Sequence, residues 1–196
     1  YDRYEATWWS AYYDGFHDWT HSNAFYFDAS ESVIYMSHRH LSRISKIDYP
    51  SGDLIWMMGM PADYMASGDE HICTDVGFSF QHNIKLLENG HLLFFDNGNL
   101  SDMLLGIDDL TTRILEIEVI DNSYCNVIWE YALPAVSMPN NSTDMYSPWM
   151  GSVRLLENDN YLINAVGGDG HILEVKRTGN NAGEIIWDAF LDLVAP

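Results

Sequence analysis

Between Asp18 and Gly59, short apolar runs alternate with turn-forming groups. The runs are Asn23–Phe27, Ser32–Ser37, Ile44–Ile47 and Leu54–Met58, with Asp28-Ala29-Ser30 at the first break and Pro50-Ser51-Gly52 at the last. β-branched and aromatic residues fill them with alternation or in short clusters, a period that predicts strands and not helix. Four strands joined by tight turns predict one antiparallel sheet. The pattern then recurs twice. A second copy runs from Phe80 (FQHNIKLLENGHLLFFDNGN, then TTRILEIEVIDNSYCNVIWEY), and a third from Met150 (MGSVRLLENDNYLINAVGGDGHILEVKRTGNNAGEIIWDA). Ile114-Leu115-Glu116-Ile117 matches Ile172-Leu173-Glu174-Val175 as third strand, and Trp56, Trp129 and Trp187 close the fourth strands. Leu86-Leu87-Glu88-Asn89-Gly90 and Leu155-Leu156-Glu157-Asn158-Asp159 mark the first turn of copies two and three, and Asn-Gly predicts a two-residue hairpin turn there.

Self-similarity of this kind predicts repeats of one module. Four-stranded antiparallel units at this scale predict an all-β, β-propeller-type fold, each copy a blade. The expected organisation is one propeller-like domain over residues 1–196, with an aromatic lead-in at 1–16 and blades at 17–59, 78–133 and 149–189. The insertions Met60–Phe78 and Pro134–Trp149 lie between copies. Three blades are fewer than a closed propeller needs, which leaves three arrangements: further blades outside this chain, two chains sharing a ring, or an open array with exposed edges.

Composition narrows the function. Nine Lys+Arg against 29 Asp+Glu give a net charge of −20, which argues against nucleic acid and anionic membranes as partners. The acidity reads as a solvating surface, and an anionic ligand has to meet the few Arg and His residues. No apolar run is long enough for a membrane-spanning helix. Tyr1 is not a natural start, so a processed or truncated exported chain is expected, with its signal peptide outside this sequence. Cys73 and Cys125 either pair as a disulfide in an exported protein or stay free. Asn99, Asn140 and Asn141 begin glycosylation sequons, a frequent chance match.

Aligning the copies by motif places His21, His82 and Ser152 at the start of the first strands, and Arg43, Arg113 and His171 at the start of the third. First strands of a propeller line its central channel, so His21 with Asn23, and His82 with Asn83, are expected to face one pocket together with Arg113 and Asn97. Each histidine alone has a structural reading as a hydrogen-bonded strand residue. No metal is expected: His38 and His40 lie on one face but lack further zinc ligands, and no EF-hand pattern surrounds Asp108-Asp109 or Asn158–Asn160.

DWTHSN, the SxRH of Ser37–His40, the QH followed by LLxNGxLLxFDNG, and the MGS of residues 150–152 resemble the bacterial arylsulfotransferase family over residues 17–189. The resemblance implies an exported propeller that moves a sulfuryl group from a phenolic sulfate donor to a phenol acceptor, without nucleotide or other cofactor. It also implies a histidine that is transiently sulfated. On the matching motifs His21, His82 and Arg113 are catalytic, with His171 filling the third-copy position where Ser152 replaces histidine. Asn23, Arg39, His40 and Asn97 are expected to bind substrate. Two other readings compete: a non-catalytic propeller that self-assembles through exposed blade edges (a homo-oligomer, filament or surface protein), and a binding module for a sulfated or carbohydrate ligand.

Overall fold

The structure, a computed structural model, describes residues 12–13, 16–18, 20–60, 70–134, 145–167 and 170–190. Two short strands, β1 (Tyr12–Tyr13) and β2 (Phe16–His17), pair antiparallel; the rest of the aromatic lead-in lies outside the described residues. Three four-stranded antiparallel sheets follow in chain order. The first blade is β3 (Ser22–Asp28), β4 (Val33–His38), β5 (Arg43–Asp48) and β6 (Leu54–Gly59). The second is β7 (His82–Leu86), β8 (Leu92–Asp96), β9 (Arg113–Ile120) and β10 (Tyr124–Ala132). The third is β11 (Gly151–Leu155), β12 (Asn160–Ala165), β13 (His171–Lys176) and β14 (Ile185–Phe190). One α-helical turn, α1 (Ser101–Leu105), sits between β8 and β9. The fold is therefore all-β and propeller-type, with three successive blades.

Successive side chains of a strand point to opposite faces, and the cores form where the faces of successive blades meet. Ile84, Leu92, Phe94, Leu115 and Ile117 of the second blade form one core with Ile44, Trp56 and Met58 of the first. Val153, Tyr161, Ile163, Leu173 and Val175 of the third form another with Leu93, Phe95 and Ile114 of the second. Polar groups lock the register between blades. Gln81, fully buried, donates to Ser37 Oγ and to the carbonyls of His38 and Arg43. Glu116, also fully buried, accepts from Arg177 and Tyr161 of the third blade and bonds His91. Burial opposes its ionisation, but those hydrogen bonds prevail and hold its pKa at about 2.

The repeat leaves two faces without a counterpart among the described residues. Trp56, Trp129 and Trp187 pair with Lys46, Glu116 and Glu174 at one ladder position. Trp56 is 6% exposed and Trp129 packs at a tilt against Tyr161 of the next blade, but Trp187 is 50% exposed. On the opposite side of the array, Phe25 is 71% exposed, while Ile84 and Val153, which take its place in the later blades, are 4% and 3% exposed.

Two sequence expectations need correction or completion. The LLENG turn is longer than two residues: Leu87 N–H donates to the His91 carbonyl at 2.8 Å and Gly90 N–H to that of Leu87 at 2.9 Å. Only Gly90 takes a positive φ, +84°. Asn89 instead uses its Oδ1 to accept from His91 N–H, and Asn158 does the same for Asn160 with Asp159 at the positive-φ position. Cys73 and Cys125 form a disulfide across 52 residues, tying the segment that leads into the second blade to β10. Reduction is expected to cost about 4 kcal/mol of stability by the loop-entropy relation; paired denaturant titrations with and without a reductant read this as a lowered midpoint.

Candidate functional site

The second blade ends β8 on Asp96-Asn97-Gly98, and each of these residues has a separate task. Gly98 adopts φ +68°, and a Cβ there would lie 1.8 Å from the Thr111 carbonyl oxygen, so the turn demands glycine. Asp96 accepts from the backbone N–H of Ser79 and Gly98 and pairs with Arg113. Asn97 projects its amide between blades. Its Nδ2 donates to the carbonyls of Ser147 and Met150, in the segment that leads into β11. Those two acceptors fix the amide orientation, so Oδ1 faces His82 Nδ1 at 2.8 Å and accepts its proton. The Phe80 carbonyl, 3.2 Å from the same nitrogen, reinforces that tautomer. The lone pair of His82 is thereby left on Nε2.

The first blade carries the corresponding turn as His38-Arg39-His40. A single turn of 3-10 helix (Arg39–Leu41) follows β4 and ends on Ser42 at φ +51°. Arg39, 4% exposed, lays its guanidinium over the Phe80 ring at 4.9 Å and near the Trp149 ring at 5.8 Å. Its Nη2 donates to the Pro148 carbonyl, while Nε is buried without a hydrogen-bond partner. No carboxylate among the described residues pairs with it at ion-pair distance. His40 donates from Nδ1 to the Asp18 carbonyl at 2.6 Å, again leaving Nε2 as the basic nitrogen. Its ring lies 4.6 Å from that of His21. His21 takes φ +45°, accepts Arg39 N–H at its carbonyl, and bonds Asp18 Oδ2 through Nδ1.

Electrostatics follow from burial. Desolvation pushes the His82 pKa below the usual histidine range, against the Asn97 hydrogen bond, and the Arg39 and His21 charges add to the fall. Desolvation likewise lowers His40 and, to a degree that leaves it cationic, Arg39. Asp18 is opposed by partial burial, but the His21 hydrogen bond and the charges of His21 and His40 bring its carboxyl below the ordinary value. The cluster thus combines neutral imidazoles, one imidazole backed by a carboxylate, and a buried cation with an unfilled donor.

The structure gathers His21, His82, Arg39, His40 and Asn97 at one end of the inner strands. Asn23 stands at the rim of the group and donates Nδ2 to the Gln81 carbonyl at 2.9 Å, stitching the first blade to the second. Arg113 is committed elsewhere: Asp96, Glu130 and the carbonyls of Val76 and Gly77 take its donors in a buried cluster. His171 begins β13 as Arg113 begins β9, and is buried at 5% exposure within the third blade. His38 bridges Ser22 Oγ and Ser45 Oγ across the first blade.

The ladder also corrects the motif alignment. His40 N–H bonds the Thr20 carbonyl and Gly98 N–H bonds that of Ser79, so His21 corresponds to Phe80, which shares its positive φ, and not to His82. Both first strands carry a bulge here, between Ser22 and Ala24 and between His82 and Lys85. A bulge re-aims side chains, which is how two non-equivalent histidines reach one site. Sequence reasoning missed Asp18, Phe80 and Trp149. Asp18 carried a signal, three residues before His21 in DWTHSN.

Virginiamycin B lyase from Staphylococcus aureus superposes with TM-score 0.46 at 13% identity over 87% of this chain and 41% of that one. A catalytically inactive variant of that lyase with quinupristin gives 0.48 at 14%, over 88% and 42%. A protein of unknown function from Bacteroides caccae gives 0.47 at 14%, over 91% and 47%. The chain therefore spans less than half of each of these structures. No curated protein matches it. The Arylsulfotransferase (ASST) family matches residues 8–189, nearly the whole chain, and this protein belongs to that family.

Proposed function

We propose that the chain carries the sulfuryl-transfer site of an exported arylsulfotransferase acting on phenolic sulfate esters. The observation that carries this reading is Arg39, a buried guanidinium with an unfilled Nε donor and no carboxylate partner among the described residues, within electrostatic reach of His82. A buried cation needs an anion, and a sulfate ester supplies one. The disulfide is consistent with an oxidising compartment. No helix of the described residues is long and apolar enough to cross a membrane.

The proposed chemistry balances in two steps. His82 Nε2 attacks the sulfur of the donor; the sulfur–nitrogen bond forms as the sulfur–phenol oxygen bond breaks. Arg39 meets the charge on the peripheral sulfate oxygens. His21, oriented by Asp18, gives its proton to the departing phenolate. It then takes the proton of the acceptor phenol, whose oxygen attacks sulfur and releases His82. Trp149, which is exposed, supplies aromatic surface near the cation, suited to a phenyl ring, while the buried Phe80 ring backs the guanidinium.

The test is incubation with an aryl sulfate donor and a phenol acceptor, following donor phenol release and acceptor sulfation, across pH. Because burial depresses the His82 pKa, the nucleophile stays deprotonated well into acid. The acid limb of kcat/KM is expected below pH 6.5, the ordinary histidine value, with activity lost as pH falls through the folded-state pKa. A limb above that value, or no transfer at all, rejects the assignment of His82 as nucleophile.

A scaffold reading is favoured by one observation, the exposed Phe25 and Trp187 faces, which invite a further blade-like surface. It does not account for an unpaired buried arginine among polarised histidines.

A further inference from the structure

We propose that Asp18, His21 and His40 form a binding site for a divalent transition-metal ion of the zinc class. A ring nitrogen of each histidine and a carboxylate oxygen of Asp18 lie within 4.8 Å of one another. Zinc accepts this N/O donor set at about 2.0–2.2 Å per bond, so side-chain shifts of roughly an ångström bring the three donors onto one ion. His40 is already in the right tautomer: Nδ1–H donates to the Asp18 carbonyl, and Nε2 holds the lone pair. A backbone carbonyl fixing the distal nitrogen is the arrangement that orients metal-binding histidines. In the metal-free protein the Nδ1 of His21 is hydrogen-bonded to Asp18 Oδ2. An ion that takes this nitrogen and oxygen displaces the proton between them to solvent. Asp18 and His21 are both partly exposed, with side chains 49% and 43% accessible, which leaves a path in and positions for water ligands. Arg39 lies within electrostatic reach and opposes a dication; Asp18 and the net charge of −20 offset it.

The site has a regulatory consequence that rests on the proposed sulfuryl transfer. An ion on His21 removes the imidazole that exchanges a proton with the phenol, while His82 and Arg39 stay as they are. Zinc is then an inhibitor competing with protons, and a chelator restores transfer.

The test uses Co²⁺ and Zn²⁺ on the intact chain without any sulfate ester. Visible d–d absorption follows the cobalt, and calorimetry in two buffers of different ionisation heat counts protons. One ion per chain and net proton release are expected. Asp18→Asn and His40→Gln, near-isosteric changes checked for folding by circular dichroism, should each weaken binding at least tenfold, and His82→Ala should leave it unchanged. Absence of cobalt absorption, or wild-type affinity in His40→Gln, overturns the site. Metal binding in a chain with no transfer activity supports the site and rejects the transferase reading. Transfer that is unaffected at saturating zinc overturns the regulatory part.

Discussion

Replacing His82 by alanine is expected to lower the rate of sulfuryl transfer by more than about 10³-fold, the scale on which loss of a covalent nucleophile acts. The folded chain should otherwise persist, because the His82 side chain is hydrogen-bonded to Asn97 and the Phe80 carbonyl but belongs to neither hydrophobic core. Arg39→Ala should cost about 10²–10³-fold, as removal of one preorganised donor to a developing anion does. Arg39→Lys is not conservative here: a lysine lacks the planar fork that spans Phe80 and reaches Pro148. Rapid-quench trapping of a sulfated chain separates the two roles. His82→Ala forms no adduct, and Arg39→Ala forms the same adduct slowly. An adduct in His82→Ala would reassign the nucleophile. Asn97 acts through His82, and Asn97→Ala should shift the acid limb of the pH profile because the fixed tautomer is lost.

The second large effect is on stability. Arg113→Met should destabilise the fold by about 3–5 kcal/mol, the scale for stranding a buried charge. Asp96 is fully buried and would lose its counter-ion, and desolvation already works to raise its pKa even with Arg113 in place. Equilibrium unfolding in urea reads this as a lower midpoint. Transfer per folded molecule should fall far less than in Arg39→Ala, since Arg113 acts only through the turn that Asp96 holds. A chain in which Arg113→Met stays stable but inactive would return Arg113 to the catalytic group. The two arginines thus separate: Arg113 pairs with Asp96 and Glu130, whereas no carboxylate among the described residues pairs with Arg39 at ion-pair distance.

The blades were legible because their signal is local. Alternation, turn residues and the recurring tryptophan locate the four strands of the first blade to within about a residue and mark the third and fourth strands of the later two. The LLENG turn was misjudged because Asn89 can either take a positive φ or accept a hydrogen bond from His91, and the motif looks the same in both cases. The site was harder. Motif matching set His21 against His82 because both are histidines beside a first strand, whereas the ladder sets His21 against Phe80, a residue of unrelated chemistry that shares its positive φ. Arg113 faces Asp96 across the β8–β9 ladder and its counterpart Arg43 faces His38, whereas Arg39 lies in the turn after β4, at the place Asn97 takes in the second blade. That distinction depends on cross-strand pairing and not on spacing. Asp18, Phe80 and Trp149 enter the site from just ahead of the first strand of each blade, where strand periodicity carries no information.

The unequal shielding of Trp56, Trp129 and Trp187 sets a direction for how this chain comes apart. Where units touch only their sequential neighbours, the free energy of each is its own plus the contacts on either side. Among the three blades described, the middle one alone has both flanks packed. Local opening therefore starts in the outer blades and reaches β8 and β9 last, making their amides the slowest to exchange with solvent. The turn holding Asn97 is rooted in that slow region, whereas Asp18 and His21 hang from the faster first blade. The nucleophile is thus anchored in the most persistent part of the array, and its proton-exchanging partner sits where the array breathes.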